Sequence, residues 1–563
     1  MLVAKGYRPV DRDQRFLMPP DMREWLSADH PVWLVIAAIG QIDTSAFHRH
    51  RRTGGVGRAG YHPDMLLTLL VWAWAQGVRS SRRIERSCGQ DVAFRVICAG
   101  DVPDHVTISR FRAETAAAME SLFGQVLVLC AELGMGRLGV VALDGVKIGC
   151  DASMSANRTE EGLVKAARDE RDRQAAAAAA AKRAAREAAA EHAAADAAED
   201  GLFGPDDRGD QVPPDAVDPA SRAARIAAAL VDLQSEKDAE TAAAKAKADA
   251  WVATRDARNG RRAGRPPAGN EVAVATARVE QVRAERQAHI AGYWARREAA
   301  VAAGTRTWGR LPVPETALLR RCEAQLAAAV ARTAKRDAAT AKQRRVRNIT
   351  DRESRMMPLR GGGWLQGYNC QAVTSADGLI IAVSVNNNPA DVITYTAMTA
   401  AAVQAAAVIA NHRPTGTTPT PTPAAADTTG DVIGIVVADA GYLSEDNLTA
   451  PGPDRLIAVG KAYAVELAAR TNPEQGPPPD TADRIEAMGH RLRTPEGIAT
   501  YRQRSHIAET PFGHGKHNLG FRRFTSRGLR RAAAEWNFHG AVNNLFKAIT
   551  TGHLTSATVP ATG

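Results

Sequence analysis

The sequence predicts an α/β protein in three parts: an all-α N-terminal region, a sheet-containing domain, and a long α-helical, coiled-coil-like insertion splitting that domain. Three observations predict it. Residues 62–136 carry helical periodicity, LGVVALDGVKIG at 138–149 switches to a β-branched apolar run, and 160–345 is dominated by alanine and charge. Strand patterning returns after Asp351. The expected boundaries are 1–136 for the helical region, 137–159 with 346–549 for the sheet domain, 160–345 for the insertion, and 550–563 for a disordered tail.

A chain of 563 residues can bury a sizeable core and should hold more than one domain. Its formal net charge of +10 favours a polyanionic partner. A membrane surface is the rival, but no uninterrupted apolar run reaches transmembrane length, and MLVAKGYRPVDRDQRF has no signal-peptide core. The expectation is a cytoplasmic protein with no membrane association. The six cysteines form no CxxC pair and read as reduced thiols.

In chain order, PPDMREWLSADHPVWLVIAAIGQI suggests two short helices, and HPDMLLTLLVWAWAQGV an apolar helix stopped by Gly77. SSRRIERSCGQDVAFRVI follows, with Ser80 or Ser81 as N-cap, then PDHVTISRFRAETAAAMESLFGQVLVLCAELGM. Short helices with tight turns carrying Arg79, Arg82, Arg83, Arg110 and Arg112 suit a helix-turn-helix-like module, or equally a small bundle with a charged face. LGVVALDGVKIG reads as a buried strand with Asp144 near its end. The alanine-rich insertion has helix propensity but little large apolar surface, so three or four helices folded back as hairpins are expected. Its basic end, AKRDAATAKQRRVRN, is the part most suited to touch nucleic acid.

GYNCQAVTSADGLIIAVSVNNNPAD gives a hairpin, with Asp391 after it as a helix cap and Gly367, Tyr368 and Asn369 as architectural residues. TYTAMTAAAVQAAAVIA reads as a helix and HRPTGTTPTPTPAAADTTG as a loop. DVIGIVVADAGY is a second buried strand ending at Asp439, LIAVGKAY a third, and 465–500 reads as irregular. LRRAAAEWNFHGAVNNLFKAIT closes the chain as an amphipathic helix.

YRQRSHIAETPFGHGKHNLGFRRF, residues 501–524, surrounds Glu509 with basic side chains, and Lys516 follows seven residues on. On an unbroken helix Glu509 and Lys516 would share a face. Thr510-Pro511, however, is a pairing suited to an N-cap and first helical position, which puts Glu509 at a kink or a helix start. His514 and His517 suit an exposed or DNA-facing role better than a metal site. Strand-end acids such as Asp144 and Asp439 offer oxygen ligands to hard cations such as Mg²⁺. Two ions about 3.5–4 Å apart can drive in-line displacement at phosphorus. LDGVKIGCD could also open an aspartyl phosphotransferase, but no second acid stands two residues from Asp144.

These blocks together resemble the DDE-type transposases of bacterial insertion sequences, in the branch with a helical N-terminal domain and a Tyr-Arg-Glu-Lys signature. The resemblance runs through YRPVDRDQRFLMPPDMREWL, SSRRIERSCGQDVAFRVI, PDHVTISRFR, ALDGVKIGCDAS, FGPDDRGDQVPPDA, DRESRMMPLRGGGWLQGYNCQAV, VVADAGY and ETPFGHGKHNLGFRRFTSRGL, in the family's order. It implies a ribonuclease-H-like catalytic domain with Asp144, Asp439 and Glu509 as a catalytic, metal-binding triad for Mg²⁺ or Mn²⁺, two ions. It implies DNA contacts from Tyr501, Arg502, Arg504, Lys516, Arg522 and Arg523, and from Arg82, Arg83, Arg110 and Arg112 in the N-terminal domain. Arg504 and Glu509 are separated by four residues where the signature has three, and on an ideal helix Arg502 lies on the Glu509 face. The implied function is binding of an element's terminal inverted repeats, strand cleavage and transfer into target DNA, by a homodimer or larger assembly near the nucleoid. The alternatives are a nuclease of the same fold that does not integrate, and an inactive, element-derived DNA-binding protein.

Overall fold

In the computed structural model, which describes residues 21–49, 60–203, 222–257, 271–306, 309–340, 346–359, 361–414 and 432–558, the first helices begin where their caps predict. α1 (Pro31–Gln41) and α3 (Pro63–Ala75) each carry a histidine cap, His30 and His62, followed by a first-turn proline. α2 (Ser45–His48) lies between them, and Gly77, at φ +69°, follows the end of α3. α4 (Ser81–Gln90) starts after Ser80. α5 (Val92–Ile97) is capped by Asp91, and α6 (His105–Glu114) by Asp104, whose Oδ1 accepts the N–H groups of Val106 and Thr107 at 2.9 Å. α7 (Ala118–Glu132) completes the series. Leu66, Leu67, Leu69, Leu70, Trp72 and Trp74 are all buried, so α3 is a central helix and not a surface one.

β1 (Val140–Gly149) opens the sheet. The chain then forms β2 (Asn157–Thr159), α8 (Glu160–Phe203), α9 (Arg222–Ala257), α10 (Glu271–Ala302), α11 (Ala317–Thr340) and β3 (Val346–Asn348). It returns through β4 (Arg355–Pro358), β5 (Trp364–Ser375), β6 (Ile380–Asn386), α12 (Tyr395–His412), β7 (Ile435–Ala438), α13 (Glu445–Thr449) and β8 (Asp454–Ile457). α14 (Ala462–Thr471), α15 (Arg484–Arg493), α16 (Pro495–Gly513) and α17 (Leu529–Thr550) close it.

Two compact units result, Met1–Met154 with Glu353–Gly563, and Ser155–Arg352. The expected boundary at 136–137 falls inside the first unit, whose N-terminal helices share one apolar core with the sheet and α17. That sheet runs β4-β5-β1-β7-β8, with β6 also on β5. β5 is antiparallel to β1, while β7 and β8 run parallel to it. Both faces are covered, as the apolar strands require. Val141 and Leu143 belong to the core shared with α7, α12 and α17, and Val140 and Ala142 to the cluster with α15 and α16. All six cysteines are free and buried.

Two expectations need correcting. Residues 465–500 are mostly helical, because Asp483 and Glu486 form a capping box for α15 and Thr494-Pro495 start α16. The Pro477–Pro479 run only separates helices. The segment 392–412 passes for a bilayer-crossing helix by length and composition, although Thr394, Tyr395, Thr396, Thr399 and Gln404 interrupt its apolar run. Here α12 packs its buried residues against β5, β6 and α7, as a core helix does. The chain after α17 turns back at 551–558 and buries Leu554.

In the second unit, β2 pairs with β3, and the four long helices among the described residues pack on their neighbours in sequence. Its cores are small: Leu163, Ile226, Leu233 and Ile349 in one, Val279, Val282, Leu319 and Cys322 in another. Alanine leaves little more to bury. Arg347, in the basic end of the insertion, is buried and paired with Glu236. The Thr/Pro-rich excursion at 415–431, most of FGPDDRGDQVPPDA, 341–345 and the last five residues lie outside the described residues.

Candidate active site

Asp144 does not end its strand. β1 continues to Gly149, but its parallel neighbour β7 stops at Ala438, opposite Leu143, so the edge of β1 opens at Asp144. Asp439 leaves the sheet at that same point, and its carboxylate accepts the Gly441 N–H at 2.9 Å. Asp144 shares a face with Val140 and Ala142, the face covered by α16. From that helix Arg504 donates through Nη1 to Asp144 Oδ2 at 3.2 Å and extends Nη2 to within 3.6 Å of Glu509 Oε1. Asp144, Asp439, Glu509, Asp391, Lys147 and Lys516 line one cleft of about 490 Å³.

Of the two outcomes expected at Thr510-Pro511, the helix start is overturned. Thr494 already caps α16, so the helix is well under way when it reaches Pro511. A proline there cannot donate to the carbonyl one turn back. The helix runs through it and then widens into a π turn, His514–Asn518, where the Leu519 N–H reaches the His514 carbonyl at 3.1 Å. That turn carries Lys516 into the cleft that Glu509 also lines.

The family model described as Transposase domain (DUF772) matches residues 20–114, and that described as Transposase DDE domain matches 479–549. Both matches support an insertion-sequence DDE transposase. No curated protein and no solved structure matches the chain. The DDE match spans Arg504, Glu509 and Lys516, while Asp144 and Asp439 stand before it. Proteins of this family act on DNA, and their DDE domains generally use divalent ions. Among the described residues, no three His, Cys, Asp or Glu side chains are grouped as a metal site. The donor chemistry of the transposase cleft nevertheless fits a hard cation: four carboxylates line it, with no thiol or imidazole. A cationic group already bridges two of them, the guanidinium of Arg504.

Burial alone would depress the Arg504 pKa, but Asp144, Tyr501, Asp439 and Glu509 outweigh it and hold the group above its ordinary value. Tyr442, beside Asp439 in sequence, is pushed well up by burial and then by Asp391, Asp144 and Asp439. Tyr501 is also raised, chiefly by burial, with Arg504 opposing. Tyr501 and Arg504 are therefore interior residues near the acids. Arg502, predicted for the Glu509 face, is exposed, while the longer reach of Arg504 spans five residues to Glu509.

The other predicted contacts divide. Arg82, Arg83 and Arg110 are exposed. Arg112 is spent inside the fold, donating to the Arg79 carbonyl at 2.9 Å and to Thr525 Oγ1 at 2.6 Å. Arg79 donates to the carbonyls of Gly520 and Arg523, with its guanidinium over the Phe521 ring. Arg523 holds the carbonyls of Cys150 and Ala152, and Arg522 donates to the Lys516 carbonyl. Lys147 and Gln371 were missed from the sequence. Lys147 stands three residues after Asp144, a position whose significance needs the register of β5 to appear.

Proposed function

We propose that this transposase binds the terminal inverted repeats of its element and carries out divalent-cation-dependent strand cleavage and strand transfer at the cleft of Asp144, Asp439 and Glu509. One observation carries the reading: three acids far apart in sequence line a single cleft where β1 loses its parallel neighbour. The strand order β6-β5-β1-β7-β8, with the last two parallel to β1, supports a ribonuclease-H-like catalytic domain. Asp144, Asp439 and Glu509 would hold Mg²⁺ or Mn²⁺, which supplies activation of a water or 3′-hydroxyl and stabilisation of the leaving oxygen. Arg504 aims the Asp144 carboxylate and offsets its charge. Lys516 presents its ammonium to the phosphates. The exposed Arg82, Arg83 and Arg110 give the N-terminal helices a basic face for end recognition, and synapsis of two ends requires at least two copies.

Purified protein, incubated with Mg²⁺ and plasmid carrying the DNA that flanks the reading frame, should yield cut ends and joined products. Asp439→Asn should lower cleavage by more than the roughly 10²-fold typical of residues one shell removed from a metal. Cleavage without joining supports a nuclease, and binding without cleavage an inactive relic. Unchanged cleavage in Asp439→Asn removes that residue from the site.

A further inference from the structure

We propose that Lys147 is a phosphate-contacting residue of the cleft and that Asp391 is the residue that positions it. The proposal rests on the DNA-cleaving function proposed above and adds a residue pair on the opposite face of the sheet from Arg504. Side chains alternate along β1, so Gly145 and Lys147 point away from α16. Across the ladder they register with Gln371 and Asn369 of β5. Asp391 holds the N-cap position of the Val392–Thr394 turn, yet its side chain caps nothing. Instead Oδ1 takes three donors, Lys147 Nζ, Asn369 Nδ2 and Gln371 Nε2, each at 2.8 Å.

The arrangement is built, not incidental. Tyr442 donates its hydroxyl to Gln371 Oε1, which turns Gln371 Nε2 toward Asp391. Asn369 Nδ2 is shared with the Asn388 carbonyl. Gly145 provides the space, since a Cβ there would lie 2.5 Å from Gln371 Nε2 and 2.9 Å from Asp391 Oδ1. A Cβ on Gly441 would meet Asp391 Oδ2 at 3.4 Å and Asp439 Oδ1 at 2.9 Å, so the pair abuts the open edge of β1.

Charge explains what this machinery is for. A DNA backbone entering a cleft lined by four carboxylates is repelled unless cations face it. Arg504 is committed to Asp144 and Glu509. Lys147 keeps only 15% of its side chain exposed, a costly place for an ammonium whose ion-pair partner is an acid already served by two amides. An ammonium has three protons, and Asp391 engages one. Holding that ammonium still on the cleft wall lets it meet a non-bridging phosphate oxygen without ordering a flexible side chain at the moment of reaction.

Salt dependence tests this, because each phosphate contact contributes about 0.9 to the slope of log binding constant against log salt. The full chain, Lys147→Met, Lys147→Gln, Lys147→Arg and Asp391→Asn are titrated onto a labelled duplex from the flanking DNA by fluorescence anisotropy. Both neutral variants should lose about 0.9 of slope, and Lys147→Arg should keep it. Asp391→Asn, which keeps the ammonium but loosens it, should keep the slope and lose single-turnover cleavage rate. Two folded neutral variants with the slope of the unaltered chain would overturn the proposal. A flat salt response in the unaltered chain would overturn the underlying DNA function too, and is distinguished because it needs no variant to appear.

Discussion

Replacing Arg504 with methionine removes the guanidinium and keeps most of the side-chain volume. Arg504 and Asp144 are both nearly inaccessible, at 6% and 8% exposure, so the substitution removes a buried cationic partner of that carboxylate. Breaking a buried pair from one side costs about 3–5 kcal/mol. The second contact decides little: the Glu509 carboxylate is 57% exposed, and solvent reduces such a pair to about 0–1 kcal/mol. Asp144 therefore sets the magnitude, and the melting temperature should fall by about 6–20 °C, at roughly 2–4 °C per kcal/mol. Differential scanning fluorimetry at neutral pH measures it. Two further results follow from the same cause. Adding Asp144→Asn should restore much of the loss, because the buried charge that Arg504 offset is gone. Mn²⁺ should raise the melting temperature of the variant more than that of the unaltered chain, since Arg504 no longer occupies Asp144. A variant that melts within about 1 kcal/mol of the unaltered chain, with no benefit from Asp144→Asn, would refute Arg504 as the counter-charge.

Gly367→Ala should destabilise the first unit by about 3 kcal/mol or more in urea unfolding, because its Cβ would lie 2.1 Å from the Ile148 carbonyl oxygen, a backbone atom that cannot swing aside. A loss under about 1 kcal/mol would mean β1 and β5 can separate there. His539 is buried and neutral, its pKa held down at about 3 by burial first and by His514 and Arg79 next. The unfolded chain, titrating near the ordinary 6.5, binds the extra proton between those values, so stability rises with pH across that window and is lost on acidification. About 2 kcal/mol should disappear between pH 7 and pH 5, and His539→Gln, whose amide oxygen can still accept from Trp74 Nε1, should remove that share. Parallel pH profiles for the two proteins would contradict it.

Period and cap chemistry made much of the fold legible. The hairpin at SADG, the buried run before Asp439 and the helix start after Ser80 depend on neighbours within a few residues, and the structure has each of them. What failed depended on choosing between two similar local signals. Thr494-Pro495 and Thr510-Pro511 both look like helix starts, and only the first is one. The second lies on a helix already nucleated, where adding residues is cheap compared with beginning again.

The cleft was half legible for a different reason. Asp144, Asp439 and Glu509 stand out because each is an acid in an unusual local setting, an apolar strand or a basic segment. Asp391 offered no such contrast: in NNNPAD it looks like a helix cap, and it does occupy that position. Its side chain is recruited elsewhere by Lys147, Asn369 and Gln371, residues from two strands more than 200 positions apart in the chain at their furthest. Their meeting depends on the register that sets Gly145 opposite Gln371 and Lys147 opposite Asn369. A shift of one residue in that register would turn Lys147 and Asp144 to exchanged faces, separating each from its partner. The two charge pairs, Arg504 with Asp144 and Lys147 with Asp391, thus depend on one ladder. That dependence gives Gly367, where β1 and β5 approach too closely for any side chain, a reason to matter to the cleft as well as to the fold.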